Sequence, residues 1–286
     1  VNDSGSNIGV VGAGTMGVGV AHLFAENGFD VTLHDISAPA IERARELIER
    51  NARFYCLIRP DEKPVSPEEI LSRITFTTDL ESFKDTGFVV ENATESFDVK
   101  RPIYEALDGI CPDDCIFAVN TSAISITRLA GLTGRPGNVV GVHFMNPAPL
   151  KPLVEVVRGV HTTAETLEAT RGLIARLGKD SLVVNDSPGF VTNRVLMLTI
   201  NEAIFLLSED VARPDEIDRL FKECFGHKMG PLQTADLIGL DTVLLSLEVL
   251  YESFNDSKYR PSPLLRKMVY AGLLGEKSGR GFHNYA

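Results

Sequence analysis

Ile8-Gly9-Val10-Val11-Gly12-Ala13-Gly14-Thr15-Met16-Gly17 is the stretch whose reading decides the fold. Its first four residues form a short apolar run of the kind that makes a buried strand. A G-x-G-x-x-G pattern follows and opens a helical stretch from Thr15 to Asn27. Glycines cluster in many turns, so the pattern gains meaning only from a strand before it and a helix after it. In that setting Gly12 permits the tight turn, Gly14 lets the backbone approach a pyrophosphate, and Gly17 allows helix and strand to pack closely. The first helical turn then offers N–H groups and a partial positive charge to phosphates. Asp35 lies 18 residues after Gly17, at the end of a second apolar run, Val31 to His34. A carboxylate there accepts from ribose hydroxyls and repels a 2′-phosphate, which favours NAD over NADP.

Further short apolar runs follow: Ile74–Phe76, Phe88–Val90, Ile116–Val119, Val139–His143, Leu153–Val157 and Ser181–Val184. Helical stretches separate several of them, beginning with Ala38 to about Arg53. That alternation predicts α/β units on a mostly parallel sheet. The texture changes at Asp186-Ser187-Pro188-Gly189. Beyond it, Phe190 to Leu207 reads as a largely buried helix, Pro214 begins another, and Leu244–Phe254 and Pro263–Ala271 continue the pattern. The expected organisation is a Rossmann-like NAD-binding α/β domain over 1–187 and an all-helical domain over 188–286.

Composition narrows the function classes. The chain has 286 residues, 44% of them hydrophobic and 23% charged, which suits about two globular domains. Its net charge of −11 argues against nucleic acid as the main partner. No apolar run reaches the roughly 18 residues of a membrane span. The polar start, Val1 to Asn7, carries no basic segment, so no signal peptide is expected, although a start without Met leaves a removed leader open. Of the four cysteines, Cys111 and Cys115 lack a second pair at zinc spacing. Reduced thiols, no metal and a cytoplasmic setting are expected.

Three places carry candidate chemistry. His143 ends an apolar strand, on the edge where open α/β sheets bind ligands. Position alone leaves a structural histidine as an equal alternative. Glu155 lies 12 residues later inside Leu153-Val154-Glu155-Val156-Val157. A carboxylate among β-branched residues needs a partner if it is buried. Pairing with His143 would supply one and would hold the imidazole as a general base; a wet face on an edge strand is the alternative. Asn120-Thr121-Ser122 follows a strand and points to the same edge, or else forms a turn and helix cap. Asn193, beside Arg194 in the long apolar stretch, needs a partner of its own, which a ligand or a backbone cap would equally supply.

Taken together, several motifs in order resemble one family. They are Gly12-Ala13-Gly14-Thr15-Met16-Gly17, Asn120-Thr121-Ser122, His143-Phe144-Met145-Asn146-Pro147, Asp186-Ser187-Pro188-Gly189-Phe190-Val191-Thr192-Asn193-Arg194, Met229-Gly230-Pro231, Asp236 to Asp241 and Gly279-Arg280-Gly281-Phe282. The sequence resembles the short-chain L-3-hydroxyacyl-CoA dehydrogenases over nearly its whole length, most closely the bacterial 3-hydroxybutyryl-CoA branch. The resemblance implies an NAD-dependent oxidoreductase that interconverts 3-hydroxyacyl and 3-oxoacyl thioesters. It implies a helical domain that forms a homodimer and an active site in the cleft between domains. By motif match His143 is the general base, Glu155 its orienting partner, Ser122 the hydroxyl-binding group, and Asn193 the group that positions substrate oxygens. The cofactor-contacting positions implied are Gly12, Gly14, Thr15, Met16, Gly17, Asp35, Ala93, Glu95, Lys100, Asn120, Ser122, His143, Asn146 and Lys277.

Two departures bear on the substrate. The segment Phe54 to Pro64 reads as an unusual loop, in which only Arg59 and Lys63 could meet a 3′-phosphate. Relatives place a lysine two residues before the leucine that opens the Glu155 strand, or directly beside it, whereas Lys151-Pro152-Leu153 puts a proline next to Leu153. Both are similar to relatives that act on an acyl carrier protein in making polyketide extender units. A basic docking patch from Arg59, Lys63, Lys258, Arg260, Arg266 and Lys267 would suit such an acidic partner, against the plainer reading of a solvated basic face. CoA leads the carrier protein as the expected thioester partner. Other classes are a crystallin-like structural protein, an NAD-sensing module without turnover, and a free-acid dehydrogenase with Arg194 as carboxylate clamp.

Overall fold

A computed structural model describes residues 7–59 and 65–285. Val1–Ser6 and Pro60–Pro64, and with them Lys63, lie outside the described residues. The chain divides into two compact units between Asp186 and Ser187.

The first unit begins β1 (Asn7–Val11), α1 (Thr15–Glu26), β2 (Asp30–His34), α2 (Ala38–Ile58), α3 (Pro67–Ser72) and β3 (Ile74–Thr77). It continues with β4 (Phe88–Glu91), α4 (Phe97–Ile110), β5 (Ile116–Val119), α5 (Ile126–Ala130) and β6 (Val139–His143). It ends with β7 (Leu153–Arg158), α6 (Ala164–Arg176) and β8 (Asp180–Asn185). The eight strands form one sheet in the order β3-β2-β1-β4-β5-β6-β7-β8. All neighbours are parallel except β6 and β7. Helix α2 runs five residues past the expected Arg53, so Phe54–Ile58 is helix rather than loop.

The register explains where chemistry can sit. Val11 pairs with His34 on one side and with Glu91 on the other, and Glu91 pairs in turn with Val119. The residues that leave this row are Gly12, Asp35, Asn92 and Asn120. All four therefore emerge at the carboxyl edge of the sheet, around the β1/β4 position where strand order reverses. That reversal opens the crevice in which doubly wound sheets take ligands. Beneath it lies an apolar core that includes Val10, Leu33, Val90, Ala118, Val140 and Val156. Each of the valine and leucine side chains contributes about 1.5–3 kcal/mol by leaving water.

Helix α1 buries His22 completely against Tyr55 of α2, with ring centroids 5.3 Å apart. Neither ring nitrogen has a hydrogen-bond partner among the described residues. Burial, aided by the Arg59 guanidinium, lowers the His22 pKa to about 4. The fold thus requires the neutral ring. This stability is complete above the unfolded value near 6.5 and is lost as pH falls through 6.5 towards about 4, roughly 3 kcal/mol in all. Urea titrations at pH 7 and pH 4.5 should show a smaller acid-induced loss for His22→Leu than for the wild type. Equal losses would mean that the ring charges without cost.

The second unit holds α7 (Thr192–Ser208), α8 (Pro214–Phe225), α9 (Pro231–Ile238), α10 (Leu240–Phe254) and α11 (Pro263–Tyr270). Among the described residues its only β pairings are isolated bridges near the end, Gly275 with Arg280 and Arg280 with Asn284. Helix α7 is less buried than its composition suggests. Met197, Ile200, Asn201 and Ile204 form a buried stripe at helical spacing, whereas Val195 is 60% exposed. One stripe rather than the whole circumference faces this unit's core. No helix among the described residues is long and apolar enough to cross a membrane.

Candidate active site

The glycine turn is built for a close approach. Gly12 has φ +91° and a Cβ there would lie 2.9 Å from the Asn92 carbonyl oxygen. A Cβ on Gly17 would sit 1.7 Å from the Gly12 carbonyl oxygen, so α1 can start against the turn only with glycine. Gly14 is open, with nothing within 4 Å of its Cβ position, and no side chain caps α1. The first-turn N–H groups of α1 have no carbonyl one turn earlier to bond. Thr15 is exposed there, while Met16 packs on the core. The Asp35 carboxylate accepts from the N–H groups of Ala13 (2.8 Å) and Ser37 (2.9 Å), which fixes it beside the turn. Each of its oxygens keeps capacity for a hydroxyl donor. These residues fit a dinucleotide.

The second feature is a cross-strand pair. His143 and Glu155 are direct register partners in the antiparallel β6–β7 ladder, so both side chains leave the same face. His143 Nδ1 lies 3.0 Å from Glu155 Oε2, and its Nε2 lies 3.1 Å from Ser122 Oγ. His143 is 7% and Glu155 5% exposed. The wet-edge alternative for Glu155 fails, because β8 covers the far side of β7. An ionised carboxylate only accepts, so Nδ1 carries the proton and Nε2 is left as the acceptor facing Ser122.

Ser122 is held from behind. Oε1 of Glu95 accepts from the Thr121 hydroxyl (2.5 Å) and from the N–H groups of Ser122 (3.0 Å) and Ala123 (2.9 Å). The neighbouring Asn120 ties the frame of the site together. It donates to Asn92 Oδ1 at 2.7 Å and accepts from the Phe144 N–H at 3.2 Å, tying the ends of β4, β5 and β6 together.

Lys100 is bound up in a buried ion pair. It is fully buried, and its ammonium donates to both Glu91 oxygens (2.8 and 2.7 Å) and to the Ala93 carbonyl (3.2 Å). An ammonium has three donors, and all three are spent. Ala93, another expected cofactor position, donates its N–H to Glu91 Oε1, so its backbone is part of this cluster. Burial pushes the Glu91 carboxyl up, and Lys100, the Ala93 N–H and the Tyr104 hydroxyl pull it back. Glu91 and Asn92 were not anticipated as site residues. A signal existed for Glu91, a carboxylate at the end of the apolar run Phe88-Val89-Val90 that raises the same need for a partner as Glu155.

Asn146 is exposed after β6, joined to Pro147 by a cis peptide bond. Asn193 is the second residue of α7 and is buried in the second unit. Lys277, also in that unit, is committed to Asp241 at 2.6 and 2.8 Å. Arg194 is no carboxylate clamp: it donates to Tyr259 Oη at 2.7 Å and lies over the Phe254 ring. Arg59 pairs with Glu26 at 2.7 Å. Lys258 pairs with Asp256 and Arg266 with Glu248, while Arg260 sits over Phe205, so half of the suggested basic patch is already matched with acid. Among the described residues no group of three or more His, Cys, Asp or Glu side chains could hold a metal.

Comparison with known proteins gives this edge its context. Residues 7–187 match the model of the 3-hydroxyacyl-CoA dehydrogenase NAD binding domain, and residues 189–285 match that of the 3-hydroxyacyl-CoA dehydrogenase C-terminal domain. The chain belongs to the 3-hydroxyacyl-CoA dehydrogenase family. Membership makes it an NAD-dependent oxidoreductase, in agreement with the glycine turn and Asp35. A Bradyrhizobium diazoefficiens relative, 3-hydroxybutyryl-CoA dehydrogenase, is 46% identical over 282 residues, covering 97% of this chain and 94% of the relative. The crystal structure of (S)-3-hydroxybutyryl-CoA dehydrogenase PaaH1 from Ralstonia eutropha is 43% identical and superposes with a TM-score of 0.90, covering 98% of this chain and 99% of that one. FadB2 of M. tuberculosis, at 37% identity, gives 0.94 over 99% of this chain and 100% of its own.

Proposed function

We propose that this dehydrogenase interconverts 3-hydroxyacyl and 3-oxoacyl thioesters, with 3-hydroxybutyryl-CoA as the reference substrate. The observation that carries the reading is the Glu155–His143–Ser122 chain at the carboxyl edge of the sheet. NAD, when bound, supplies the acceptor for the hydride that leaves C3. Nε2 of His143, which faces the Ser122 hydroxyl in the absence of substrate, takes the proton of the 3-hydroxyl. As the imidazolium forms, the Glu155 carboxylate beside Nδ1–H stabilises it and keeps the ring from turning. Ser122 Oγ, which donates to Nε2 without substrate, then donates to the substrate oxygen and shares its developing charge. In the reverse direction the imidazolium returns the proton to the forming hydroxyl.

The names of the relatives support CoA as the thioester carrier. A homodimer follows from the family resemblance. The test is NADH formation at 340 nm with 3-hydroxybutyryl groups on CoA and on a carrier protein, each with NAD and NADP. Turnover on CoA with NAD preferred supports the proposal. Turnover on the carrier-bound group alone would replace CoA by a carrier protein. No turnover on either would remove the 3-hydroxyacyl reading.

A further inference from the structure

We infer that Glu95 is a positioning residue that, through one of its two carboxylate oxygens, sets the Ser122 hydroxyl against His143. The inference rests on the proposed role of Ser122 and His143 above.

Three donors converge on one oxygen of Glu95: the Thr121 hydroxyl and the Ser122 and Ala123 N–H groups. A carboxylate oxygen with three donors has no lone-pair direction left for a fourth. The Thr121 hydroxyl oxygen in turn accepts from the Ala123 (3.3 Å) and Ile124 (3.0 Å) N–H groups. The four residues after Asn120 are therefore wound around two oxygens, Glu95 Oε1 and Thr121 Oγ1. Their first end is fixed by Asn120, through Asn92 and the Phe144 N–H. This winding aims the Ser122 side chain, whose Oγ rests 3.1 Å from His143 Nε2.

Glu95 can do this because its own base is rigid. Ala93 is held through its N–H by Glu91 and through its carbonyl by Lys100. The Ser96 N–H donates to the Thr94 carbonyl at 2.7 Å, and the Lys100 N–H to the Ser96 carbonyl at 3.0 Å, so the chain turns into α4 at once. The buried Lys100–Glu91 pair thus supports a loop whose last side chain supports the serine loop. A proton-transfer step depends steeply on such placement; a displacement of about 1 Å can lower a rate by about 10²-fold.

The test compares Glu95→Ala, Glu95→Gln, Ser122→Ala and the double variant Glu95→Ala/Ser122→Ala. Steady-state kinetics on 3-hydroxybutyryl-CoA is measured beside NADH affinity by fluorescence and ¹⁵N NMR of the histidine rings. Glu95→Ala is expected to lower kcat by about 10²-fold and to shift the His143 nitrogens, with NADH affinity within about threefold of wild type. Glu95→Gln keeps a carbonyl oxygen for the three donors and should recover kcat to within about tenfold. Glu95→Ala should add nothing to Ser122→Ala, because its effect passes through that hydroxyl. A tenfold or greater loss of NADH affinity with kcat unchanged would overturn the inference, as would additive losses in the double variant. Inactive wild type would instead overturn the proposed function, and the NADH affinity and the NMR shifts would still decide the place of Glu95.

Discussion

His143→Ala is expected to lower kcat for 3-hydroxybutyryl-CoA oxidation by about 10²- to 10⁴-fold, the range that a positioned general base supplies. The loss should fall on kcat and kcat/KM together, because the proton moves only in the transition state. NADH affinity should stay within about threefold, since the turn around Gly12 and Asp35, which fits a dinucleotide, is built without the imidazole. Truncation also takes the Nδ1 donor from Glu155, which is 5% exposed. Losing a donor to a buried carboxylate destabilises the sheet, so inactivity of this variant has two readings, folding and chemistry. His143→Gln separates the two, as its amide can still donate to Glu155 but cannot accept and return a proton as imidazole does. A folded, NADH-binding and inactive His143→Gln supports the mechanism. A variant that turns over at the wild-type rate would remove His143 from it.

Lys100→Met should be the most damaging change to stability, costing about 3–5 kcal/mol. The reason is geometric. The ammonium is fully buried against an equally buried Glu91, with two hydrogen bonds between them and a third to Ala93. Removing one partner leaves a carboxylate that has only the Ala93 N–H and the Tyr104 hydroxyl, the latter at 3.3 Å. Against a typical total of about 5–15 kcal/mol, that loss brings the unit close to unfolding. Replacing both members, Glu91→Leu with Lys100→Met, should recover a large part, because two apolar side chains carry no desolvation debt. Urea unfolding followed by circular dichroism measures both variants. A Lys100→Met loss below about 1 kcal/mol would mean that water reaches the pair.

Much of the site was legible because it rests on local patterns. The strand–glycine–helix turn needs only ten consecutive residues. His143 could be placed at a strand end from the apolar run before it, and Glu155 was marked by the conflict between its charge and its β-branched neighbours. The internal partners of Lys100 and Asn120 were not legible in the same way. A motif position says which residue stands near a ligand in relatives, whereas burial and long-range pairing decide where its polar atoms go. Lys100 meets a carboxylate nine residues back, and Asn120 bridges partners 28 and 24 residues away. Helices α4 and α6 were not singled out, and α4 even carries Pro102 within its first turns. Pro102 is the sixth residue of the helix and removes the bond that its N–H would have made to Asp98, yet the element persists because its inner face buries Lys100, Tyr104 and Leu107. In α7 composition gave the helix but not its orientation. A run of apolar residues cannot tell which side meets its own core.

The antiparallel pairing of β6 with β7 also sets what can be redesigned. The imidazole and the carboxylate meet because residue 143 faces residue 155 across a ladder, not because of the path that joins them. The connection from Phe144 to Pro152 can therefore gain or lose residues without parting the pair, provided that Lys179 still finds the Pro149 and Lys151 carbonyls it braces. One residue inserted within either strand has the opposite effect. Side chains alternate between faces, so a slip of one position sends the carboxylate to the far side of the sheet. Variation aimed at a new substrate has room in the connection and almost none in the two strands it joins.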